Sequence, residues 1–516
     1  MNILKCLELA GENLLQCLCP EENYLPYWHM VVWPDRTAEY QFRPHCDGHN
    51  VGRWWNAMLR LEEASNFAIP GVIEQAMLEN TWRLADNPSG IFLQDIDPED
   101  ARTWYIHSYR ETMLAFGLLV HYRDSRAALR HGLRALEQMR QASQDLSQWD
   151  LSHWGMRAGD GRISGGRGEP VYTHGRAIEG LLCFYQASGQ EAALEEAERL
   201  AAFHFEHTIG PRGTLATGAG HHTHSYLNTI RGLILLASLQ NRKDLLEKLY
   251  STYRNAISRM ITPSGFVTHD IGAQVGGDIA SAGDIAHIAL LLWDHYKEPQ
   301  LLDEAERIAR ARLLPSQVLD PMPVAPRREA MSDNLRALPA RFVGAIGGAV
   351  GHVQGQTCVT DFTAAALHSL LELYKRSVDI GADFIRVNFH FDWAGAGVRV
   401  ISERQANRGH LRVEDKSGRK MLLRVPGWVE PATLAVRVQN EAAEVVVENG
   451  FAIIPASGGA KKVELDFDLP ASQSVERWRD EEATRETVTF KWRGDEIRGV
   501  DPTGRYPAFF PKQTYA

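Results

Sequence analysis

The hydrophobic pattern of roughly the first 380 residues repeats six times. Each copy starts with polar residues and continues as an apolar run with helical spacing, as in GHVQGQTCVTDFTAAALHSLLELYK at 351–375. The other five copies begin at His49, Trp104, Val171, His221 and Gly276. More charged helical stretches lie between the copies, so the pattern alternates fully apolar helices with amphipathic ones.

The spacing of the copies indicates one architecture. One polar residue taken from each copy gives steps of 58, 67, 50, 60 and 77 residues, and each step holds two helices with their loops. An internal repeat of this kind outweighs local assignments. We predict an (α/α)6 barrel whose six apolar helices form the inner ring. Helix capping explains any single polar start, but six starts in phase, several with His, Arg or Tyr, indicate a pocket.

Beyond about residue 380 the apolar positions alternate with a period of two. Segments such as GVRVISERQ, HLRVEDKSG and KKVELDFDL are separated by turn residues, which is typical of antiparallel strands. We expect about eight strands and one final hairpin. The predicted fold class is therefore mainly α: a catalytic (α/α)6 barrel over residues 1–380, followed by a C-terminal β-sandwich accessory domain over residues 381–516.

Composition excludes several classes of partner. The chain has 516 residues, a net charge of −10 and a pI of about 6.1, with its basic residues scattered, which argues against a nucleic-acid-binding surface. No apolar stretch reaches the ~18 residues that a membrane span needs. The first residues lack the features of a secretory signal, and the six Cys form no paired framework. We expect a cytoplasmic protein with no nucleic-acid or membrane partner.

The polar starts supply candidates for catalysis. Hydrolysis of a glycosidic bond needs a proton donor and a second carboxylate. Asp278 and Asp361 are predicted to lie at neighbouring inner-helix starts, so they are our first candidates for this pair, and Asp47, Asp270 and Asp284 remain alternatives. Capping of a helix N-terminus is the competing interpretation of each of these residues.

The other polar residues of the starts, and of the loop before the first one, are candidates for binding sugar hydroxyl groups. They are Asp47, His49, Arg53, Tyr105, His107, Tyr172, His174, Arg176, His222, His224 and Gln356. Arg53, Arg110 and Arg176 could also clamp a substrate carboxylate, because a planar guanidinium matches it with two hydrogen bonds. Cys358 is a candidate nucleophile if a positive or metal neighbour stabilises its thiolate, and a buried inert thiol is the alternative.

Three segments resemble glycoside hydrolase family 127, the β-L-arabinofuranosidase-like proteins. They are GQTCVTDF at 355–362, VNFHFDW at 387–393 and LLRVPGWVEP at 422–431. The order of a barrel and then a sandwich is similar to that of the six-hairpin glycosidases in general. The resemblance implies this fold and a glycosidase active site in the barrel mouth.

The resemblance also implies a zinc ion held by three Cys and one Glu, with one of two adjacent Cys in the sixth copy as nucleophile. In this chain Cys358 stands alone between Thr357 and Val359. The fifth copy reads SAGDIAH where the family has Glu-Thr-Cys. We therefore expect no metal and no cofactor.

These observations favour an exo-acting glycoside hydrolase. Its expected partner is a small oligosaccharide, either β-L-arabinofuranoside-like or containing a uronic acid, and a homodimer is left open. One alternative is a polysaccharide lyase, in which Tyr and His abstract the C5 proton of a uronate while Arg neutralises its carboxylate. The other is a sugar-binding protein without catalytic activity.

Overall fold

The structure is a computed structural model of the chain. It describes residues 2–27, 29–32, 39–41, 47–93, 106–144, 146, 170–216, 218–273, 277–319, 341, 343–347, 355–357, 359–479 and 485–501. Among the predicted site residues, Tyr105 and Cys358 lie outside these ranges, and Gln356 is described only as part of a strand. Nothing in the structure therefore tests the roles predicted for these three residues.

Twelve α-helices lie in the described part of the first 380 residues. They are α1 (Ile3–Gln16), α2 (Asp47–Ala64), α3 (Gly71–Ala85), α4 (Tyr109–Arg123), α5 (Arg126–Ala142), α6 (Ala177–Ser188), α7 (Glu191–His207), α8 (Thr223–Leu239), α9 (Lys243–Asn255), α10 (Ile279–Tyr296), α11 (Pro299–Ile308) and α12 (Ala364–Lys375). α1 begins where the side chain of Asn2 accepts a hydrogen bond of 3.2 Å from the amide of Lys5, a typical N-cap.

The even-numbered helices form a closed inner ring. α2 packs on α4, and the contacts continue through α6, α8, α10 and α12 back to α2. Each odd-numbered helix covers one of them from outside, with α1 against α12 and α3, α5, α7, α9 and α11 against the helix before each. Inner-ring side chains such as Trp54, Phe116 and Leu290 are therefore fully buried. This confirms the predicted (α/α)6 barrel.

Two small antiparallel sheets join the barrel. β1 (Leu18–Cys19) pairs with β2 (Leu25–Pro26), and β3 (His29–Val32) pairs with both β4 (Glu39–Gln41) and β5 (Gly355–Thr357). The second sheet links the segment before α2 to the segment before α12. β-branched residues such as Val31 and Val32 favour extended backbone, which suits short strands in the connections between helices.

Fourteen strands follow α12 in the described chain. They are β6 (Val378–Ile380), β7 (Phe384–Val387), β8 (Trp393–Gly395), β9 (Val398–Gln405), β10 (Arg408–Asp415), β11 (Lys420–Arg424), β12 (Ala435–Val438), β13 (Glu441–Ala442), β14 (Val446–Glu448), β15 (Phe451–Ile454), β16 (Lys461–Asp468), β17 (Ala471–Arg479), β18 (Arg485–Arg493) and β19 (Glu496–Asp501). The sequence pattern predicted fewer strands, because the shortest ones carry too few residues for their alternation to be visible.

The first eleven of these strands form a β-sandwich. One sheet has the order β13-β12-β16-β10-β9-β8 and the other β14-β15-β11-β7-β6. Every second residue points inward, so Val400, Val413 and Leu465 of one sheet share an apolar core with Ile385 and Leu423 of the other. The C-terminal sandwich predicted from the period of two is thus confirmed.

The last three strands form a separate sheet that contacts the barrel through buried ion pairs. Arg310, which follows α11, binds Glu306 at 2.7 Å and Glu496 of β19 at 3.0 Å. Arg404 of the sandwich binds the same Glu496 at 3.2 Å. The side chains of Arg310, Arg404 and Glu496 are all largely buried. The barrel, the sandwich and the third sheet therefore meet at one charged cluster.

The change from helix to strand lies between Lys375 and Val378, close to the predicted boundary at 380. The division into a catalytic and an accessory domain stays a prediction. Among the described residues, no helix is both long enough and apolar enough to span a membrane.

Candidate active site at the barrel mouth

The first turns of the inner helices meet at one end of the barrel, here called the mouth. Asp47 opens α2 and is partly exposed. Two of the other starts are π-helical turns, Val171–Gly175 before α6 and Val359–Thr363 before α12. π-helical turns are rare and frequent at functional sites. The polar residues of these two starts therefore lie in unusual backbone at the mouth.

Asp361 lies in the second of these turns and holds contacts across the ring. One oxygen of its carboxylate lies 3.0 Å from Nε2 of His49 and 3.1 Å from Nε of Arg53, both on α2. Its side chain remains 17% exposed, whereas those of His49 and Arg53 are buried. Burial opposes ionisation, but Arg53 and His49 outweigh it and hold the pKa of Asp361 well below its usual range.

Glu111 of α4 lies beneath this pair and holds three arginines. Its carboxylate is 2.7 Å from Arg110, 2.8 Å from Arg176 and 3.3 Å from Arg53. It is completely buried, and burial alone would raise its pKa, but the surrounding positive charges lower the pKa well below the usual value. Glu111 therefore fixes the guanidinium of Arg53 from below, while Asp361 meets it from the mouth.

The ion pairs continue toward the centre of the barrel. Glu179 of α6 binds Arg110 at 2.8 Å and also Arg231 of α8. Arg231 in turn binds Asp284 of α10 at 2.6 Å. Including Arg53, Arg176, Glu111 and Asp361, the network balances four arginines against four carboxylates. Such balance is what buried charges require.

His224 connects Asp284 to Arg53. Its Nδ1 lies 2.6 Å from a carboxylate oxygen of Asp284, and its Nε2 is hydrogen-bonded to the guanidinium of Arg53. A guanidinium only donates, so Nε2 must accept and the proton must lie on Nδ1. Burial and the nearby arginines lower the pKa of His224, which agrees with this neutral form. The contacts Asp284–His224–Arg53–Asp361 thus form one continuous chain to the mouth.

A row of rings lines the mouth beside Asp361. His107 stacks on His49 with centroids 5.2 Å apart and on Tyr172 at 4.2 Å. His222 lies edge-on to Tyr172 at 5.3 Å, and His269 follows at 4.7 Å from His222. Burial lowers the pKa of His107 and His222, so both rings are neutral at pH 7. Neutral, flat rings suit the faces and hydroxyl groups of a sugar.

Asp278 differs from Asp361 in its contacts, although both stand at starts of neighbouring inner helices. Its Oδ1 accepts from the amides of Ala280 at 2.8 Å and Ser281 at 3.3 Å, and its Oδ2 from the hydroxyl of Ser281 at 2.7 Å. It is the N-cap of α10 and is buried, and burial raises its pKa. These contacts are those of the capping alternative for Asp278.

Three further predicted residues occupy other surroundings. His174 is buried against α7, where its Nδ1 lies 2.9 Å from Nε2 of His204, so the structure does not bring it into the ring row. Asp270, an alternative carboxylate, binds His269 at 3.0 Å and is 40% exposed. Arg176 lies in the network and contacts His107, as well as Glu111.

Arg53, Arg110 and Arg176 are each buried and paired with a carboxylate of the protein itself. This pairing has a physical reason, because a guanidinium that enters a closed ring of helices must find its counter-charge within that ring. Their role in clamping a substrate carboxylate stays a prediction.

The residues that sequence reasoning missed are Glu111, Glu179 and Arg231. Glu179 and Arg231 each stand as a single charge within an apolar inner-helix run, in AIEGLL and TIRGL, and Glu111 follows Arg110 at the start of such a run, in RETML. A lone charge in a helix that is buried on all sides must be paired. That rule could have predicted a charged barrel interior, but not which residues are partners.

The zinc site that the resemblance implies does not fit the described thiols. Burial raises the pKa of Cys6 and Cys17 to about 12, and it also raises the pKa of Cys183. Zinc binds the thiolate form. Among the residues that the structure describes, no group of three or more His, Cys, Asp or Glu is arranged to hold a metal ion. We derive no step through zinc.

The chain is similar to known proteins in structure but not in sequence. No protein-family model matches the chain. No curated protein is similar to it in sequence.

Solved structures with the same architecture do exist. A family 127 β-L-arabinofuranosidase from Geobacillus stearothermophilus T6 is 13% identical, with a TM-score of 0.56 over 95% of this chain and 80% of that one. A second family 127 β-arabinofuranosidase is 11% identical, with a TM-score of 0.58 over 95% and 78%. A structure named only as a glycoside hydrolase is 12% identical, with 0.53 over 87% and 77%. The chain therefore has the barrel-and-sandwich fold of the six-hairpin glycosidases.

Proposed function

We propose that the chain is a glycoside hydrolase whose active site is the barrel mouth and whose reacting carboxylate is Asp361. The main support is the environment of this residue. Its carboxylate is ionised and partly exposed, and it contacts His49 and Arg53. The row of rings beside it supplies flat faces for the sugar. The family 127 structures with the same fold support this class of reaction.

The chemistry of Asp361 follows from its low pKa. Cleavage of a glycosidic bond develops positive charge at the anomeric carbon. A carboxylate that stays ionised can stabilise that charge or attack the carbon, whereas its low basicity makes it a poor general base. Asp361 therefore acts as nucleophile or charge stabiliser, and the leaving oxygen receives its proton from another group.

Asp47 is our candidate for the proton donor. It opens α2, the helix that contacts the turn of Asp361, and its side chain is partly exposed. Asp278 is the less suitable of the two, because its oxygens already accept hydrogen bonds from the first turn of α10.

The barrel interior favours exo-action on a small oligosaccharide. The completely buried Glu111 forms ion pairs with Arg53, the partner of Asp361, and with Arg110. With charged pairs packed on that side of Asp361, we expect the sugar to approach from the mouth, and the end of a chain is the expected substrate. We keep β-L-arabinofuranosides as the first sugar to test, and a cytoplasmic location and a homodimer stay predictions.

The alternative of a uronate lyase is less well supported. Its mechanism needs a guanidinium that neutralises the substrate carboxylate. Arg53, Arg110 and Arg176 are each neutralised by Glu111, Glu179 or Asp361 instead. A lyase would release an unsaturated sugar that absorbs in the near ultraviolet, which hydrolysis does not produce.

The test compares Asp361→Asn with Asp278→Asn on nitrophenyl β-L-arabinofuranoside and on unsubstituted arabinose-containing disaccharides. Asp361→Asn should lower kcat at least about 10²-fold, the usual loss when a group that stabilises charge in the transition state is removed. Asp278→Asn should stay within a few-fold of the parent, because Asn is also a good N-cap. Asp47→Asn should lose its activity on the disaccharides. It should keep much of its activity on the nitrophenyl substrate, whose leaving group needs no proton.

Equal activity of the parent and Asp361→Asn would contradict the assignment of Asp361. Sugar binding by the parent without turnover of any arabinoside, glucoside or uronide would favour the binding protein over the enzyme.

A further inference from the structure

Glu476 of β17 carries a contact from the C-terminal sheet into the barrel. Its Oε1 accepts a hydrogen bond of 2.7 Å from the amide of Ser264, and its Oε2 one of 2.8 Å from the hydroxyl of Ser264. Glu476 is 6% exposed and Ser264 2%. Two buried bonds from one carboxylate to one residue fix both the backbone and the side chain at that position.

Ser264 lies at the tip of a small hairpin in the loop between α9 and α10. Ile261 pairs with Val267 at the base of this hairpin. The amide of Gly265 donates 2.9 Å to the carbonyl of Thr262, and φ of Gly265 is +82°, which a residue with a side chain rarely adopts. The tip is therefore a tight turn that is held from two sides, by Glu476 of the sheet and by Arg307 of α11, which donates to the carbonyls of Thr262 and Pro263.

The same hairpin holds the start of α10. The carbonyl of Val267 accepts a hydrogen bond of 2.9 Å from the amide of Asp278, so the base of the hairpin binds the N-cap residue of α10. Thr268 also pairs with Gly277 across the loop. A shift of the hairpin would thus move the first turn of an inner helix.

Beyond the hairpin, the loop reaches the ring row at the mouth. The carbonyl of His269 accepts from the amide of Thr223 at 2.9 Å, and the amide of Ile271 donates to the carbonyl of His221 at 2.6 Å. The ring of His269 lies 4.7 Å from that of His222. The described residues 264–273 and 277–278, here called the mouth loop, therefore contact the ring row at the mouth.

We infer that Glu476 is a positioning residue: through Ser264 it sets the place of the mouth loop, and with it His269, His222 and the start of α10. The C-terminal sheet then contributes to the site from another part of the chain. The contact itself does not depend on the proposed function, but its effect on hydrolysis rests on it.

Simple docking of the sheet to the barrel is the competing explanation, and the chain offers a matched control. Glu496 lies in the same three-stranded sheet, is 9% exposed and binds Arg310 of the barrel at 3.0 Å. Arg310 follows α11 and is not part of the mouth loop. Glu476→Gln replaces two charge-assisted bonds to the mouth loop by weaker neutral ones. Glu496→Gln instead removes a charge that Arg310, Arg404 and Arg498 contact outside that loop.

Ser264→Ala serves as a second variant. Glu476 lies near the charge of Arg312, so Glu476→Gln also changes the charge balance of this region. Ser264→Ala removes the bonds of the Ser264 hydroxyl to Glu476 and to Thr262, and it leaves both charges in place. If Glu476→Gln folds poorly, Ser264→Ala still tests the contact.

The first readout is amide hydrogen exchange of the full-length variants, which needs no substrate. In Glu476→Gln and Ser264→Ala, the amides of Ile271 and Asp278 should exchange about tenfold faster, while those of α4 and α6 stay at the parent rate. Glu496→Gln should leave the mouth loop unchanged. Unchanged exchange in both loop variants, or the same increase in Glu496→Gln, would overturn the inference.

The second readout is hydrolysis of nitrophenyl β-L-arabinofuranoside. KM should rise several-fold in the two loop variants with a smaller change in kcat, and Glu496→Gln should leave both constants unchanged. A parent without glycosidase activity would refute the proposed function and leave the exchange result standing. Faster loop exchange with unaltered KM and kcat would refute the role of Glu476 in the site.

Discussion

Single buried charges organise the interior of this barrel, and Glu111 contacts more of them than any other described carboxylate of the network. One carboxylate oxygen lies within 3.3 Å of Arg53, Arg110 and Arg176. Its loss would leave three buried guanidinium groups to share the remaining carboxylates. Removing one partner of a buried ion pair is far more costly than the pair is stabilising.

We predict that Glu111→Gln lowers the free energy of unfolding by about 3–5 kcal/mol. Gln keeps the shape and one acceptor oxygen but removes the charge that these arginines require. Urea denaturation followed by circular dichroism measures the change.

Glu195→Gln is the control for this prediction, because the side chain of Glu195 is 65% exposed and pairs with Arg140 only at 3.7 Å. It should shift the free energy by less than about 0.5 kcal/mol. Equal, small effects of both substitutions would show that the arginines find other partners.

At the scale of elements, the inner helices approach each other closely at glycines. A Cβ placed on Gly180 of α6 would lie 2.8 Å from the carbonyl oxygen of Arg110 in α4. A Cβ on Gly232 of α8 would lie 2.9 Å from Cβ of Ile178 in α6. The ring therefore closes around positions where any side chain meets a neighbouring helix.

We predict that Gly180→Ala destabilises the protein by about 1–3 kcal/mol, the usual range for overpacking. Helix propensity alone argues for the opposite sign, since Ala in a helix interior is favoured over Gly by about 1 kcal/mol. The steric effect should win, because the atom that it meets is backbone. Thermal unfolding of the variant decides the sign.

Gly71→Ala separates the two effects. Gly71 opens the outer helix α3, and a Cβ there would meet nothing within 4 Å. This variant should be as stable as the parent or slightly more so. A stabilised Gly180→Ala protein would mean that α4 and α6 can separate without cost.

At the scale of the whole molecule, buried histidines make stability depend on pH. Burial lowers the pKa of His204, His287 and His390 to about 3, against about 6.5 in an unfolded chain. Between these values the unfolded chain binds protons that the folded chain does not. The free energy of unfolding should therefore fall as the pH falls below about 6.5, and these histidines should have no effect above it.

Each histidine contributes a slope of up to about 1.4 kcal/mol per pH unit. Urea denaturation between about pH 7.5 and pH 5 measures the total, in a range above the usual pKa of exposed carboxylates. His390→Gln should reduce the slope, because the Gln side chain does not titrate. Its amide can still donate to the carbonyl of Arg424 that His390 contacts, so this hydrogen bond is kept.

His207→Gln removes an imidazole whose side chain is 51% exposed, and it should leave the slope unchanged. If the free energy of unfolding does not change between about pH 7.5 and pH 5, these buried histidines do not make the stability depend on pH.

Much of the architecture was readable from the sequence, because it depends on local periodicity. A helix that is apolar on all sides, as α10 and α12 are, needs a second layer of helices to bury it. Six such helices alternating with amphipathic ones leave few arrangements other than a double ring. The period of two beyond α12 likewise needs only neighbouring residues, and a sandwich is the simplest way to bury one face of each sheet.

The candidate site was readable only as a set of residues near one end of the barrel. His49, Arg53, His107 and Asp361 stood out because polar residues at the start of a buried helix are unusual. Their partners are not local: Asp361 meets Arg53 from the far end of the barrel sequence, and Glu111 and Arg231 lie inside apolar runs.

The sequence by itself thus determined the fold class and the end of the barrel at which the polar starts gather. Only the tertiary structure revealed that the contacts of Asp278 and Asp361 differ, although both stand at the start of an inner helix. Asp278 turns back onto the amides of its own helix, while Asp361 reaches across to α2. The difference arises because the rotation of each inner helix and the path of its preceding turn depend on how the ring closes.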